Sequence, residues 1–431
     1  MSQTRLIDLT PADLPRIKEL EDTVWFEVLP GGTPEDLSPD IDFRHARALE
    51  RVGDPLPGEA PQDRPPLVGI YGAFDMTVTV PGPEGTLRSL PMDGLTWVGV
   101  HPDHRRQGLL TRLMTDHLHR VHDRGEAALA GLHASEAAIY GRFGYGCSSL
   151  DVKLTLGRGT ELTAPPAVVE GADGVQVHMV TAPTAEGMAA LHEAHLATAR
   201  ATLGAVTRPD AMSGTWWRDH PKARGTKEPR RLLLSSRDGQ TTGYAVLRRE
   251  SKWEEELPAG EVSVVELGAV DHASLLALVR RLVDFDLTSK TTLWARTVDD
   301  PVIWWAGGPR SVGIRAYDSL WLRLVDLPRA LTERGYAAPC DLVLDVTDDL
   351  CPWNAGRWRL TVADGRATCE RTDEEADLCV PTAVLAAAYG GGRTVASQVP
   401  ALGGSERTPG AIRRLSRAMR ADTEPYGAIG F

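Results

Sequence analysis

Between Leu95 and Met114 the chain reads Leu-Thr-Trp-Val-Gly-Val-His-Pro-Asp-His-Arg-Arg-Gln-Gly-Leu-Leu-Thr-Arg-Leu-Met, and these residue types suit the capture of a phosphorylated group. Arg105 and Arg106 supply charge. Gly108 precedes a helix whose apolar positions Leu109, Leu110, Leu113 and Met114 share one face. Unpaired amides at a helix start, together with the positive end of the peptide dipoles, suit a pyrophosphate. The expected cradle is Arg105, Arg106 and Gly108 with the N–H groups from Gln107 through Leu109 to Leu110.

Other reactive residue types point to less. His101, His104, His117, His119 and His122 crowd the same region, but no His-Glu-x-x-His occurs and 117 and 119 face different sides of a helix. Solvated helix histidines, and no metal, are expected. Cys147 has no base partner in sequence and reads as a small buried thiol. The five cysteines are odd in number and include no Cys-x-x-Cys, so reduced thiols are expected rather than a disulfide framework or a zinc site. Asp348-Asp349 and Asp373-Glu374-Glu375 read as solvated turns.

The elements that must position the cradle follow from patterning. Arg5 to Leu9 is strand-like, and Thr10-Pro11 offers an N-cap and a proline at N1 for a helix to about Thr23. A helical piece is expected over Phe43 to Arg51, then a proline-rich surface loop from Val52 to Pro66. Leu67 to Phe74, Met76 to Val80, Leu95 to Val100, Ala127 to Leu132 and Ser149 to Leu156 read as strands, with a short helix inside 133–146. Thr160 to Gly174, rich in Pro, Gly and Ala, reads as a linker. Beyond it the pattern repeats, and Glu266-Leu-Gly-Ala-Val-Asp-His-Ala-Ser-Leu-Leu joins strand to helix by a shorter turn without the Arg-Arg-Gln-Gly element. This reads as a duplicated domain whose second copy has lost its phosphate cradle. A third region from about Arg315 contains strands 340–346, 356–363 and 376–380, and helices 381–389 and 408–421. The apolar end Tyr426-Gly-Ala-Ile-Gly-Phe431 is unlike a polar fraying tail and is expected to dock.

A chain of 431 residues suggests two to three domains. Hydrophobic content of 42%, charged content of 25% and a formal net charge of -12 describe an acidic globular protein and argue against nucleic-acid binding. No signal core and no run of roughly 18 apolar residues occurs, so no membrane span and a cytoplasmic location are expected.

Arg105-x-x-Gly108 between Val98-Gly-Val100 and an amphipathic helix resembles the acyl-CoA-binding motif of the GNAT superfamily of N-acetyltransferases, with Leu110 in place of its last small residue. The stretch Leu132-His-Ala-Ser-Glu-Ala-Ala-Ile-Tyr140-Gly-Arg-Phe-Gly-Tyr-Gly146, the degenerate second copy, Trp321-Leu-Arg-Leu-Val-Asp-Leu-Pro-Arg-Ala-Leu and the terminal Phe431 together resemble the Eis-like acetyltransferases over nearly the whole chain. The resemblance implies an α/β protein of mixed sheets: a catalytic GNAT domain (1–158), a second GNAT-like domain without its own cradle (159–312) and a sterol-carrier-protein-like domain (313–431). It also implies acetyl-CoA as donor, aminoglycoside-type polyamines or lysine side chains as acceptors, and a homo-hexamer.

The resemblance implies roles as well. Tyr140 becomes the general acid and the carboxylate of Phe431 the general base, with Glu27 and His133 as fallbacks and Tyr145 as a competitor to Tyr140. Ser135 falls where family members contact pantetheine. Backbone at Val98, Gly99 and Val100 would stabilise the oxyanion if the strand splays from its neighbour. Trp25, Phe26, Glu27 and Trp97 could form an aromatic, acidic acceptor pocket, or be core. A non-catalytic acyl-CoA or lipid-binding scaffold and a protein-lysine acetylase are the other readings.

Overall fold

The computed structural model describes residues 3–26, 33, 41–53, 63–180, 184–209, 219 and 224–431. The middle of the proline-rich loop expected over Val52 to Pro66 lies outside them. Along the first sheet run β1 (Gln3–Asp8), β2 (Arg47–Val52), β3 (Leu67–Pro81), β4 (Leu87–Val100), β5 (Leu129–His133), then Leu320–Leu324, and β6 (Gly146–Cys147) at the edge. The second sheet runs Arg315–Asp318, β7 (Leu150–Gly157), Thr288–Arg296, Gly260–Ala269, Gln240–Glu250, Arg231–Arg237 and Gln176–Val180. A third sheet orders Arg366–Arg371, Gly356–Ala363, Cys340–Thr347, Leu378–Pro381 and Ser405–Glu406.

Local chemistry explains the elements flanking the cradle. The expected proline at N1 opens a short 3-10 turn (Pro11–Asp13), and the helix proper is Leu14–Val24; Thr10 N–H donates to the Asp13 carboxylate at 3.0 Å. The helix Leu109–Arg124 buries Leu109, Leu113, Met114, Leu118 and Val121 against β2, β3 and β4, as its 3.6-residue spacing requires. Two expectations are corrected. Phe43 to Arg51 is not helical: Arg47–Val52 is β2, held antiparallel between β1 and β3. Thr160 to Gly174 is not a bare linker, since Pro166–Asp173 is helical and packs on the helix His272–Val283.

The two large sheets exchange strands. β7, expected as the last strand of the first domain, pairs with Thr288–Arg296 and Arg315–Asp318 in the second sheet. Leu320–Leu324, from the start of the expected third domain, enters the first sheet between β5 and β6. Arg323 on that strand is fully buried: its guanidinium pairs with Asp348 at 2.6 Å and donates to the carbonyls of Phe143 and Leu324. One buried cation thus ties the turn after Tyr140 to the third sheet's unit. Arg323→Met is expected to cost about 3–5 kcal/mol, because Asp348 would keep a buried charge without its cation. Urea denaturation checks this; a change below about 1 kcal/mol would refute it.

The buried core is continuous between the first and third sheets. Met76, Val78, Leu90 and Met92 pack with Leu320, Leu342, Leu344, Leu385 and Tyr389 in one cluster, which Phe431 joins from its edge.

Candidate active site

The ladder between parallel β4 and β5 consists of Met92–Leu129, Asp93–Ala130 and Gly94–Gly131, and stops there. From Leu95 onward the side of β4 that faced β5 has no strand partner among the described residues. On its other side β4 gains a residue against β3, between the pairs Ile70–Gly99 and Gly72–Thr96, with Trp97 at φ +56°. This bulge kinks β4 where it leaves β5, and between Val98 and Val100 amides alternate between β3 and the side without a strand partner. Backbone amides able to meet an oxyanion are therefore presented where the two strands part.

At the end of β4 the chain makes the turn Pro102–His104 and reaches Arg105 and Arg106, both exposed and without a side-chain partner among the described residues. Gly108, at φ +80°, caps the helix with no side-chain acceptor, and the first helical bond is Arg112 N–H to the Gly108 carbonyl. The first-turn amides are left for a ligand. Gln107 is exposed and Leu109 is buried, while Leu110 lies half-buried against the core. The double variant Arg105→Ala/Arg106→Ala is expected to raise KM for acetyl-CoA at least tenfold with kcat little changed, since charge-assisted contacts to phosphates bind ground and transition states alike. An unchanged KM would remove the turn as the cradle.

The second sheet shows why its own site is closed. The equivalent helix, His272–Val283, is capped by Asp271, whose carboxylate accepts Ser274 N–H at 2.7 Å and pairs with Arg237 at 3.0 Å. A carboxylate already occupies the amides a phosphate would need. The turn is two residues long, with neither Arg nor Gly.

Tyr140 sits in the 3-10 turn Ala137–Phe143, half-buried, its ring edge-on to Tyr145 at 6.1 Å between centroids. Burial, and next the charge of Glu136, raise its phenol above the ordinary value. Tyr145 is 0% exposed and its hydroxyl has no hydrogen-bond partner among the described residues, so it is shut away from any ligand. Ser135 is exposed in the bend before that turn, and Glu136, not Ser135, is the helix cap.

The terminal residue reaches the parting strands. The Phe431 ring lies edge-on to His133, 5.0 Å between centroids, and its Cε2 stands 3.1 Å from where a Cβ on Gly94 would be. Glycine at 94 lets the ring in. His133 is half-buried and held neutral, its pKa pushed down to about 4 chiefly by desolvation of the ring.

Of the expected pocket, Trp25 and Trp97 stack 6.1 Å apart at 20°, with Trp25 directly over Gly99, where a Cβ would meet its ring at 2.5 Å. Phe26 is 85% exposed and belongs to no core cluster, and Glu27 lies outside the described residues. The histidines depart from expectation. His104 and His117 are buried, with His117 Nε2 on Asp93 at 2.6 Å, and His122 stacks on Trp353. Among the described residues one group, Asp42, His45 and Asp75, brings metal-type donors together, and Arg44 pairs with both of its carboxylates.

Comparison with known proteins agrees with this geometry. Residues 9–148 and 204–324 each match a family described as an acetyltransferase (GNAT) domain, and 327–428 match a sterol carrier protein domain. Fold and site thus define a tandem GNAT N-acetyltransferase. The chain is 38% identical to an N-acetyltransferase of Streptomyces avermitilis over 84% of its length and 87% of that protein. It is 30% identical to the N-acetyltransferase Eis of Mycobacterium tuberculosis over 85% of its length and 86% of Eis. Eis1 of Mycobacterium abscessus superposes over 100% of both chains with a TM-score of 0.78 and 29% identity. The chain belongs to the Eis-like N-acetyltransferases of the GNAT superfamily. No helix among the described residues is long and apolar enough to cross a membrane.

Proposed function

We propose that the protein moves an acetyl group from acetyl-CoA directly to an amine in a ternary complex, on small polyamines of aminoglycoside type or on lysine side chains. The observation that carries this reading is the parting of β4 from β5, which leaves β4 backbone without a strand partner next to the open helix start at Gly108, with Phe431 lying between Gly94 and His133. The cradle from Arg105 to Leu110 holds the cofactor's phosphates, and Ser135 faces its pantetheine arm. Amides between Val98 and Val100 take the charge that develops on the thioester oxygen. The Phe431 carboxylate accepts a proton from the substrate ammonium, and the neutral amine attacks. As the C–S bond breaks Tyr140 protonates the leaving thiolate, and the surplus proton on the acylated nitrogen is released and restores the phenol. An ordinary phenol at about 10 against a thiol at about 8.5 makes the transfer to the thiolate uphill by about 2 kcal/mol, and burial of Tyr140 adds to that cost.

Trp25 and Trp97 form the aromatic wall against which a cationic acceptor rests. A homo-hexamer and a cytoplasmic location complete this reading, by analogy with the family. The deciding measurement is thiol release from acetyl-CoA across a panel of aminoglycosides, polyamines and lysine peptides, with Tyr140→Phe as control. Turnover confined to lysine peptides would make the protein a lysine acetylase. Tight acyl-CoA binding with no thiol released by any amine would overturn the catalytic reading in favour of a scaffold.

A further inference from the structure

The last eleven residues cross all three units before they reach the cleft. Ala421 N–H donates to the Gly391 carbonyl at 3.1 Å, and the Glu424 carboxylate is held by Arg393 and Arg420 at 2.9 and 2.8 Å. The chain then passes onto the second unit. Glu424 N–H donates to Asp299 at 2.7 Å, and Tyr426 N–H donates to the Leu203 carbonyl at 3.1 Å. Gly427 N–H donates to the Asp151 carboxylate at 3.1 Å.

Two of these contacts fall at the second sheet's own parting strands. Its parallel ladder ends at Val264–Leu293, as the first sheet's ends at Gly94–Gly131. Just beyond, Arg296 is 4% exposed and spans the gap, with Nη1 donating to the Leu267 carbonyl and Nε to Asp300, each at 2.6 Å. Its guanidinium lies 5.6 Å from the centre of the Tyr426 ring. Asp151, on the exchanged strand β7, is also 4% exposed, and among the described residues no cation pairs with it. Burial pushes its carboxyl up to about 6, against the Gly427 N–H, the Ser319 hydroxyl and the nearby charge of Arg296, all of which favour its charged form. A buried carboxylate without a paired cation, placed to receive an amide of the tail, calls for a reason beyond stability.

We propose that the second GNAT-like unit, closed to cofactor, is the mount for the chain terminus, and that Asp151 and Arg296 are positioning residues that hold Gly427 and Tyr426 so that Phe431 stays in the first cleft. The proposal rests on the reading of the Phe431 carboxylate as base. Tether length gives the magnitude. The chain runs four positions from Gly427 to Phe431 and seven from Glu424, whose carboxylate Arg393 and Arg420 would still hold on the third unit's side, with Ile429 packed in the core, if the second unit let go. Releasing the mount would dilute the terminus between about 2-fold and about 5-fold, for a flexible coil and a fully extended reach respectively.

The test is the double variant Asp151→Ala/Tyr426→Ala in the full-length enzyme, beside Asp151→Asn, whose amide oxygen can still accept from Gly427. In the double variant kcat is expected to fall about 2- to 5-fold with KM for acetyl-CoA unchanged, and amide exchange in 424–431 to quicken at least tenfold. Asp151→Asn should keep most of both. In a chain extended by one residue after Phe431, the double substitution should cost nothing beyond the loss the extension itself causes. Unchanged exchange, or an equal kcat loss in both backgrounds, would overturn the mount. The two readings separate cleanly: faster exchange with a harmless C-terminal extension would retire the carboxylate as base, whereas a damaging extension with unaltered exchange and kcat in the double variant would retire the mount alone.

Discussion

Adding a single residue after Phe431 is expected to lower kcat/KM by about 100-fold, the lower end of what a positioned proton acceptor contributes. The added peptide bond replaces the carboxylate with an amide that cannot take a proton at neutral pH. It also has to leave the space between Gly94 and His133 that the Phe431 ring enters. An unperturbed terminal carboxylate has a pKa of about 3.5, far from that of an amine, so its value lies in placement and partial burial. Phe431→Ala keeps the carboxylate and removes only the ring; it should fall between wild type and the extended chain. A C-terminal tag that leaves kcat/KM unchanged would sink the assignment. The base would then be sought at Glu27, or at His133, which burial holds neutral with a pKa of about 4.

The second large effect is Tyr140→Phe, for which kcat should drop about 100-fold with little change in KM for acetyl-CoA. Phenylalanine preserves the packing against the core and the edge contact with Tyr145, so a loss reports on the hydroxyl. The direction of the pH effect follows from the raised phenol: burial and Glu136 favour the protonated form, so Tyr140 stays a donor throughout the neutral range. Its deprotonation should contribute no basic limb to the kcat/KM profile below about pH 10. Tyr145→Phe is the control, since that ring is wholly enclosed. If Tyr145→Phe abolished turnover and Tyr140→Phe did not, the acid would have been misassigned.

Comparison of the two parting strands shows how one fold yields an open cleft and a closed one. In the first sheet Gly108 caps the helix without a side chain and two free arginines flank it; in the second, Asp271 fills the same amides. Across the first gap lies the terminal Phe431, and across the second lies Arg296, hydrogen-bonded to the opposite strand. The duplication is visible in the chain because strand and helix periodicities survive. The closure is not, because Arg296 meets Leu267 only once both strands are paired.

What could be read from residues in order was whatever their neighbours decide. The strand, basic turn and helix from Leu95 to Met114 depend on apolar spacing, a proline and a glycine within one local segment, so this strand-turn-helix, the α/β class and the family were legible in the sequence alone. The apolar terminus likewise announced that it would dock. Non-local pairing decided the rest. Arg47–Val52 has good helix formers, yet it fills the gap between β1 and β3, where two ladders outweigh a weak intrinsic preference. His117 looked like a surface histidine until Asp93, 24 residues away, took its ring nitrogen. The exchange of β7 and Leu320–Leu324 between sheets, the seating of Arg323 behind Tyr140 and the route of residues 421–431 across three units join segments far apart in the chain. Only the tertiary structure could bring them together, because the contacts that favour them do not exist until the sheets have formed.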